Sequence, residues 1–383
     1  MPTLPVPDAD QLAASQTLLA AIHADIALAG GWIGFDRYMR MALYAPGLGY
    51  YSGGSRKFGA AGDFVTAPEL SPLFGRTLAR PVAQVLAACG GDLLEVGAGT
   101  GRLAADLLGE LDRLGQLPMR YRILELSGEL AARQRETLAA ALPELLGRVE
   151  WLDQLPEEFV GCIVGNEVLD AMPCKLLHYK SGAWHERGVG WDDGLIWVDK
   201  PLADAEVPDC LRDADLPDGY LTEIQPEAQA FVASLAGCVR AGALILPDYG
   251  FAQAEYYHPQ RHRGTLMCHY RHHAHDDPFY LPGLQDITTH VDFSAIYRAA
   301  EAAGWQLEGY TSQASCLIDA GILELVSALD TGDARHFQAV AAVQKLLQPA
   351  EMGELFKVIA FSKSLPLTGL LAGFGRDDRS GLL

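Results

Sequence analysis

Apolar residues recur at helical spacing over residues 11–29, and the same period returns over Pro72–Cys89, Arg102–Leu114, Gly128–Leu142, 226–240 and Phe293–Ala303. Between these segments lie short apolar runs that end in polar residues: "DLLEVGAG", "YRILELS" (121–127), "VEWLD" (149–153), "GCIVGNEVLD" (161–170), "ALILPDYG" (243–250), "WQLEGYT" and "LFKVIAFSK" (355–363). Each predicts a strand, and strands that alternate with helices predict a parallel, doubly wound α/β sheet. Three stretches depart from the alternation. Residues 43–75 are rich in glycine, proline and aromatics without a clear period, and so long an irregular segment is more often functional than idle. Residues 175–200 look like a hairpin, and 251–290 form a second irregular insertion. Two helical stretches occupy 314–348 before the last strand. The expected organisation is an N-terminal cap (1–80), a core (81–313) with insertions at about 175–222 and 251–290, and a closing segment (314–383) that completes the sheet.

The most informative stretch is "LLEVGAGTGRLAADLL" (93–108), an apolar strand, a glycine-rich turn and the start of a helix. Glycine lets the backbone approach a ligand closely, and the helix N-terminus behind the turn favours an anion or a polar tail. Two cofactor classes use this arrangement. A dinucleotide site wants G-x-G-x-x-G/A, which Gly99, Gly101 and Ala104 satisfy in permissive form. An S-adenosylmethionine site wants an acid on the strand and then G-x-G-x-G, which Glu95, Gly97, Gly99 and Gly101 satisfy in full. The turn alone leaves both open.

In open parallel sheets, ligands bind beyond the carboxyl ends of the strands. The second strand ends in Glu125, suited to ribose hydroxyls; the third in Asp153 and Gln154, suited to an adenine edge; the fourth in Asn166 and Glu167. A dehydrogenase needs only the first two strand ends, whereas S-adenosylmethionine uses all four. Either acid alone could simply solvate or cap the next helix, and it is their joint registration with the glycine turn that points to S-adenosylmethionine.

"GNEVLDAMP" (165–173) places Asn166, Glu167 and, one helical turn on, Asp170 at the expected open edge. The Asn/Asp-Pro-Pro-aromatic signature of DNA-adenine methyltransferases is absent. A carboxylate pair suits the guanidinium of arginine, whose plane it can fix by bidentate hydrogen bonds. Glu167 and Asp170 are therefore the expected acceptor ligands, with Glu223 in "LTEIQPEA" a third; the bland alternative is that Asp170 caps a helix through Met172. The histidine run "CHYRHHAHDD" (268–277) offers no H-x-x-x-H spacing on a helix, so no metal is expected.

Composition narrows the class further. The 383 residues are 49% hydrophobic with a formal net charge of −20, and no basic patch offsets it, so nucleic acid is not an expected partner. Seven scattered cysteines without a C-x-x-C pair fit a reducing compartment. The first Lys or Arg is Arg37, unlike a secretory or transit segment, and "LLAAIHADIALAGGWIGF" is broken by His23 and Asp25, unlike a membrane span. The expectation is a cytoplasmic protein with no membrane partner.

At this point the sequence resembles the MidA-like class I methyltransferases, whose mitochondrial member assists assembly of respiratory complex I. The resemblance runs along nearly the whole chain, through "GDFVTAPELSPLFG", "LLEVGAGTGRL", "LELSGEL", "GNEVLDAMP", "LPDYG", "RGTLMCHYRHH", "DITTHVDFSAI" and "MGELFKVIAFSK". It implies a seven-stranded, Rossmann-like methyltransferase sheet with an added cap, S-adenosylmethionine as cofactor, and a protein arginine as acceptor, symmetrically dimethylated in the mitochondrial case. The implied cofactor site comprises Gly97, Gly99, Gly101, Glu125, Asp153 and Asn166, with Thr66, Pro68 and Glu69 in a lid. The alternative in another class is an assembly factor that binds a partner protein and keeps the cofactor fold as a scaffold.

Overall fold

A computed structural model describes residues 4–53, 66–212, 214–329 and 334–383. The chain divides into two compact units: one from 65–168, 229–251 and 293–383, the other from 1–64, 169–228 and 252–292. This differs from the expected organisation, because the cap and both insertions build a single unit with its own core instead of three separate decorations. The first boundary falls near residue 65 and not near 80, since the helix Pro72–Cys89 packs into the core of the sheet.

Among the described residues, the first unit holds seven strands: β1 (Asp92–Val96), β2 (Tyr121–Leu124), β3 (Val149–Leu152), β4 (Phe159–Val164), β5 (Val239–Phe251), β6 (Gln306–Ser312) and β7 (Phe356–Lys363). Their spatial order is β3-β2-β1-β4-β5-β7-β6. The pairs β1/β2, β2/β3, β1/β4 and β4/β5 are parallel, while β7 runs antiparallel to both β5 and β6. In register, Leu93 faces Tyr121 on one side and Cys162 on the other. These strands are near-continuous apolar runs because helices cover the sheet. Leu73, Phe74, Leu78 and Val82 of helix Pro72–Cys89 and Leu103, Leu107 and Leu111 of helix Arg102–Arg113 lie in one core with Leu93, Cys162 and Ile245. Helix Pro72–Cys89 starts at Ser71, whose side chain accepts from the Leu73 amide, with Pro72 in the first turn.

In the other unit, strands Ile33–Gly34, Ala183–Trp191, Lys175–Lys180 and Tyr220–Ile224 form an antiparallel sheet, with Leu195–Pro201 also paired to Ala183–Trp191. Helix Ala9–Leu28, started by an Asp8–Gln11 capping box, buries Leu18, Ile22 and Ile26. Helix Phe35–Tyr44, in the stretch leading into the segment read as irregular, adds Phe35, Tyr38 and Met39 to the same core. The histidine run lies on a hairpin, Met267–Tyr270 and His273–His275, turned through Arg271 and His272 in the left-handed region. Among the described residues no group of His, Cys, Asp and Glu is placed to hold a metal, and no helix is long and apolar enough to cross a membrane.

Candidate functional site

β1 buries Leu93, Leu94, Glu95 and Val96, then turns through Gly97, Gly99 and Gly101 at φ +66°, +52° and +83°. This left-handed region disfavours any side chain. A Cβ on Gly99 would enter open space, with no heavy atom within 4 Å, so the backbone is bare on that side. A Cβ on Gly101 would lie 3.0 Å from Gln134 Cα, so helix Gly128–Ala141 presses on the turn where only glycine fits. Helix Arg102–Arg113 begins at Gly101 without a side-chain cap, which suits its first amides to a ligand's polar tail.

Beneath the turn, Glu95 is 1% exposed, and its Oε2 accepts from the Tyr121 hydroxyl at 2.6 Å. Burial raises its pKa to about 7; the Tyr121 bond opposes the rise and Glu125 adds to it. Glu125 follows β2 and is half-buried. Its Oε1 accepts from the Ser127 amide at 2.8 Å and its Oε2 from Gln134 Nε2 at 2.9 Å. The same Gln134 Nε2 donates to the Gly99 carbonyl at 3.1 Å, and Gln134 Oε1 accepts from Trp151 Nε1 at 2.9 Å. One helical turn on, Thr137 Oγ1 donates to the Thr100 carbonyl at 2.7 Å. Asp153 and Gln154 are exposed beyond the end of β3.

The expected lid residues follow directly on residues 54–65, which lie outside the described residues. Thr66 precedes the short helix Ala67–Leu70, Pro68 lies in its first turn, and Glu69 Oε1 accepts from Thr100 Oγ1 of the glycine turn. Asn166 Nδ2 donates to Glu167 Oε1 at 2.9 Å, and the Ala67 amide donates to the same oxygen at 3.4 Å. The strand-four end is thus joined to the lid helix across 100 residues of sequence.

No helix follows β4, contrary to expectation. Glu167 sits at φ +53°, an uncommon position for a residue with a side chain, and its amide bonds to the Pro247 carbonyl at 3.0 Å. Val168 donates to Asp248 Oδ2 at 3.1 Å. These bonds to β5 fix an irregular bend instead of a helical turn. Asp248, in "LPDYG", is fully buried and was not singled out from the sequence.

In the other unit, Asp170 is buried and its carbonyl accepts from the Thr289 amide at 3.0 Å. Glu223 is 0% exposed. Its Oε1 accepts from the Thr265 and Leu266 amides at 2.8 and 3.1 Å, and its Oε2 from Thr265 Oγ1 at 3.0 Å. Tyr256 Oη lies 3.3 Å from Oε2, its proton shared with the His290 carbonyl. A Cβ on Gly264 would meet Oε1 at 2.2 Å. Glu223, expected as a third acceptor ligand, is therefore an internal anchor of the 264–266 turn: burial and saturation by local donors leave no open face for a guanidinium.

The residues around the glycine turn fit S-adenosylmethionine. Gly99 faces open space, Glu125 stands at the second strand's end, and Asn166 Oδ1 is buried with no hydrogen-bond partner among the described residues. A β3-β2-β1-β4-β5-β7-β6 sheet with one reversed strand and this turn after β1 defines a class I S-adenosylmethionine-dependent methyltransferase. Residues 77–311 match the family model described as "Putative S-adenosyl-L-methionine-dependent methyltransferase", and the chain belongs to that family, of MidA-like type.

The chain is 56% identical to a Burkholderia thailandensis protein whose crystal structure is bound to S-adenosyl-homocysteine, with a TM-score of 0.96 and 100% of both chains covered. A native crystal structure from the same organism gives 55% identity and a TM-score of 0.93, again over 100% of both chains. Among curated proteins, the mitochondrial protein arginine methyltransferase NDUFAF7 of Mus musculus is 28% identical over 86% of this chain and 81% of its own length. Its Homo sapiens counterpart is 26% identical over 88% and 82%. The cofactor is S-adenosylmethionine.

Proposed function

We propose that this methyltransferase acts on an arginine side chain of a protein. The observation that carries the acceptor class is the similarity to proteins named protein arginine methyltransferase over more than four-fifths of the chain. The chemistry of "GNEVLDAMP" supports it: Glu167 stands beyond the end of β4, and Asp170 follows three residues later in the chain. Carboxylates accept from a guanidinium in its own plane and draw positive charge onto the nitrogens they hold, leaving another nitrogen to react.

S-adenosylmethionine, when bound, supplies a methyl group on a cationic sulfur and leaves as S-adenosyl-homocysteine. The roles of this chain are binding and orientation. We assign Gly97, Gly99 and Gly101 to the amino-acid tail, Glu125 to the ribose, Asp153 and Gln154 to the adenine edge, and Asn166 to the reacting end. Thr66, Pro68 and Glu69 shield the cofactor from water, and Glu95 supports the turn from below. The reacting arginine nitrogen forms the new N–C bond and releases its proton, for which a nearby carboxylate is a suitable acceptor. Positioning of this kind supplies a large share of rate enhancement in bimolecular transfer. The free thiols of all seven cysteines support a reducing compartment such as the cytoplasm.

The test uses cells lacking the protein. Their lysate, incubated with the purified enzyme and methyl-labelled S-adenosylmethionine, is hydrolysed and its labelled amino acids separated. Methylarginine is the expected product; label confined to lysine or to small molecules would overturn the acceptor assignment. Glu167→Gln should keep cofactor affinity while methylarginine formation falls at least ~100-fold, the scale of a lost charge-orienting group. Methylation at the normal rate by Glu167→Gln would remove that residue from the acceptor site.

A further inference from the structure

Helix Gly128–Ala141 presents an apolar stripe, Leu130, Ala131 and Leu138, to the core, and one member of that stripe is polar: Gln134, 0% exposed. Burying an amide is unfavourable unless its donors and acceptor are satisfied. Here they are, and the partners come from β3 and from the segments just after β1 and β2. Nε2 donates to the Gly99 carbonyl in the turn after β1 and to the Glu125 carboxylate after β2; Oε1 accepts from the Trp151 indole in β3. The orientation of the amide follows from chemistry alone. An indole N–H can only donate, whereas a carbonyl and a carboxylate can only accept, so the amide cannot be flipped without losing all three bonds.

Two further contacts show that this face of the helix is fitted to the turn. Thr137, three residues on and so on the same face, donates to the Thr100 carbonyl, and Gly101 is the residue on which Gln134 rests. Apolar filling of the position would leave the helix packed but would leave the Trp151 indole and the Gly99 carbonyl without these partners.

We infer that Gln134 is a positioning residue for the cofactor: it fixes the distance and orientation between the Glu125 carboxylate and the glycine turn, and Trp151 locks its amide in the one productive orientation. The inference rests on the assignment of Glu125 to the ribose. Both ends of the nucleoside-to-tail span then move together, because a single side-chain nitrogen holds the carboxylate that grips the sugar and the carbonyl of the turn that passes the tail. Ribose hydroxyls need a carboxylate whose oxygens already point the right way; Gln134 Nε2 on Oε2 and the Ser127 amide on Oε1 help to hold it there.

The experiment is calorimetric titration of the full-length protein with S-adenosyl-homocysteine across pH, with thermal melting as the fold control. Gln134→Met keeps the volume and removes all three bonds; affinity should fall at least ~10-fold, the scale of one or two lost charge-assisted hydrogen bonds. Gln134→Glu keeps an acceptor for Trp151 but sets a carboxylate against Glu125 and the Gly99 carbonyl. Its affinity should be weak at pH 8 and recover as pH falls and the new carboxyl gains a proton to donate, a response that loss of packing cannot produce. Trp151→Phe, a change in a half-buried side chain, should weaken binding by ~2–5-fold by freeing the amide to turn. In protein labelled with 15N-tryptophan, the Trp151 indole signal should shift on ligand addition, and that shift should be lost in Gln134→Met. Unchanged affinity in both Gln134 variants would overturn the inference, as would a Gln134→Glu defect that does not recover at low pH. Glu125→Ala separates the layers: if it binds normally, the ribose assignment and the inference both fall. If Glu125→Ala is weak while the Gln134 variants bind normally, only the positioning role falls.

Discussion

Glu223 and Glu95 are the most deeply buried glutamates of their units among the described residues, and the two are held in different ways. Glu223 is surrounded by two backbone amides, a threonine hydroxyl and a tyrosine hydroxyl within one unit. Glu95, under the glycine turn of the other, is met by the single hydroxyl of Tyr121. Burial raises both pKa values; for Glu223 the donors all act in the opposite direction, while for Glu95 the rise reaches about 7. The donors around a buried carboxylate distinguish its two roles. Many local donors mean that the side chain organises its own surroundings, as Glu223 organises residues 264–266. Few donors beside an open glycine turn mean that the side chain supports a site at some expense of stability.

Removing Glu223 is the most damaging way to probe the contrast. Glu223→Ala takes the acceptor away from the Thr265 and Leu266 amides and the Thr265 hydroxyl in a closed interior, while Tyr256 keeps the His290 carbonyl, and this should cost ~3–5 kcal/mol. The melting midpoint read by circular dichroism should drop by many degrees; a drop of a degree or two would mean that the four donors are not organised by this carboxylate.

Glu95 should behave in the opposite sense. Its folded pKa, raised from 4.5 to about 7, means that the folded state holds the proton more tightly than the unfolded state. Stability from this group is therefore full below about pH 4.5, declines as pH rises towards 7, and is least above it. Glu95→Gln, which still accepts from Tyr121, should stabilise the protein at pH 8 by up to ~3 kcal/mol, with the gain vanishing near pH 5. Parallel melting curves for the two proteins at both pH values would contradict the assignment.

The smallest effect sharpens the donor count itself. Thr265→Val removes one donor from Glu223 and an acceptor used by the His290 amide, but leaves both backbone amides in place. The expected loss is ~1–2 kcal/mol. A loss as large as that of Glu223→Ala would place the anchor on Thr265 and not on the carboxylate.

The same contrast explains what could be read from the chain. The glycine turn, the strand ends at Glu125 and Asn166, and the helix Pro72–Cys89 are local patterns, and each lies where its period and caps indicate. The helical turn expected at Asp170 does not form, because Glu167 is held in the left-handed region by bonds to Pro247 and by Val168 to Asp248, some 80 residues away. Ala67 and Glu167 meet across 100 residues, and no pattern within either segment signals the pairing. Helix Phe35–Tyr44 was legible in principle, since Phe35, Tyr38, Met39, Ala42 and Leu43 recur at helical spacing, but the stripe is short and runs straight into a glycine-rich segment. Gln134 was legible in principle, as the lone amide within the apolar stripe Leu130, Ala131 and Leu138, but only if a polar residue at a core position is taken as a signal. Glu223 fails for the reverse reason: an acid on a strand suggests an exposed ligand until the fold brings its donors around it.

We propose that the turn through Gly97, Gly99 and Gly101 holds S-adenosylmethionine. The direct measurement is isothermal titration of the wild-type protein and Gly99→Val with S-adenosyl-homocysteine, and of the wild type with nicotinamide dinucleotide. At Gly99 the φ of +52° strains any side chain, and a Cβ would project into open space on the side left bare for a ligand. Saturable binding of S-adenosyl-homocysteine by the wild type, none by a folded Gly99→Val, and no heat with the dinucleotide are expected. Undiminished binding by Gly99→Val, or binding of the dinucleotide in preference, would contradict it.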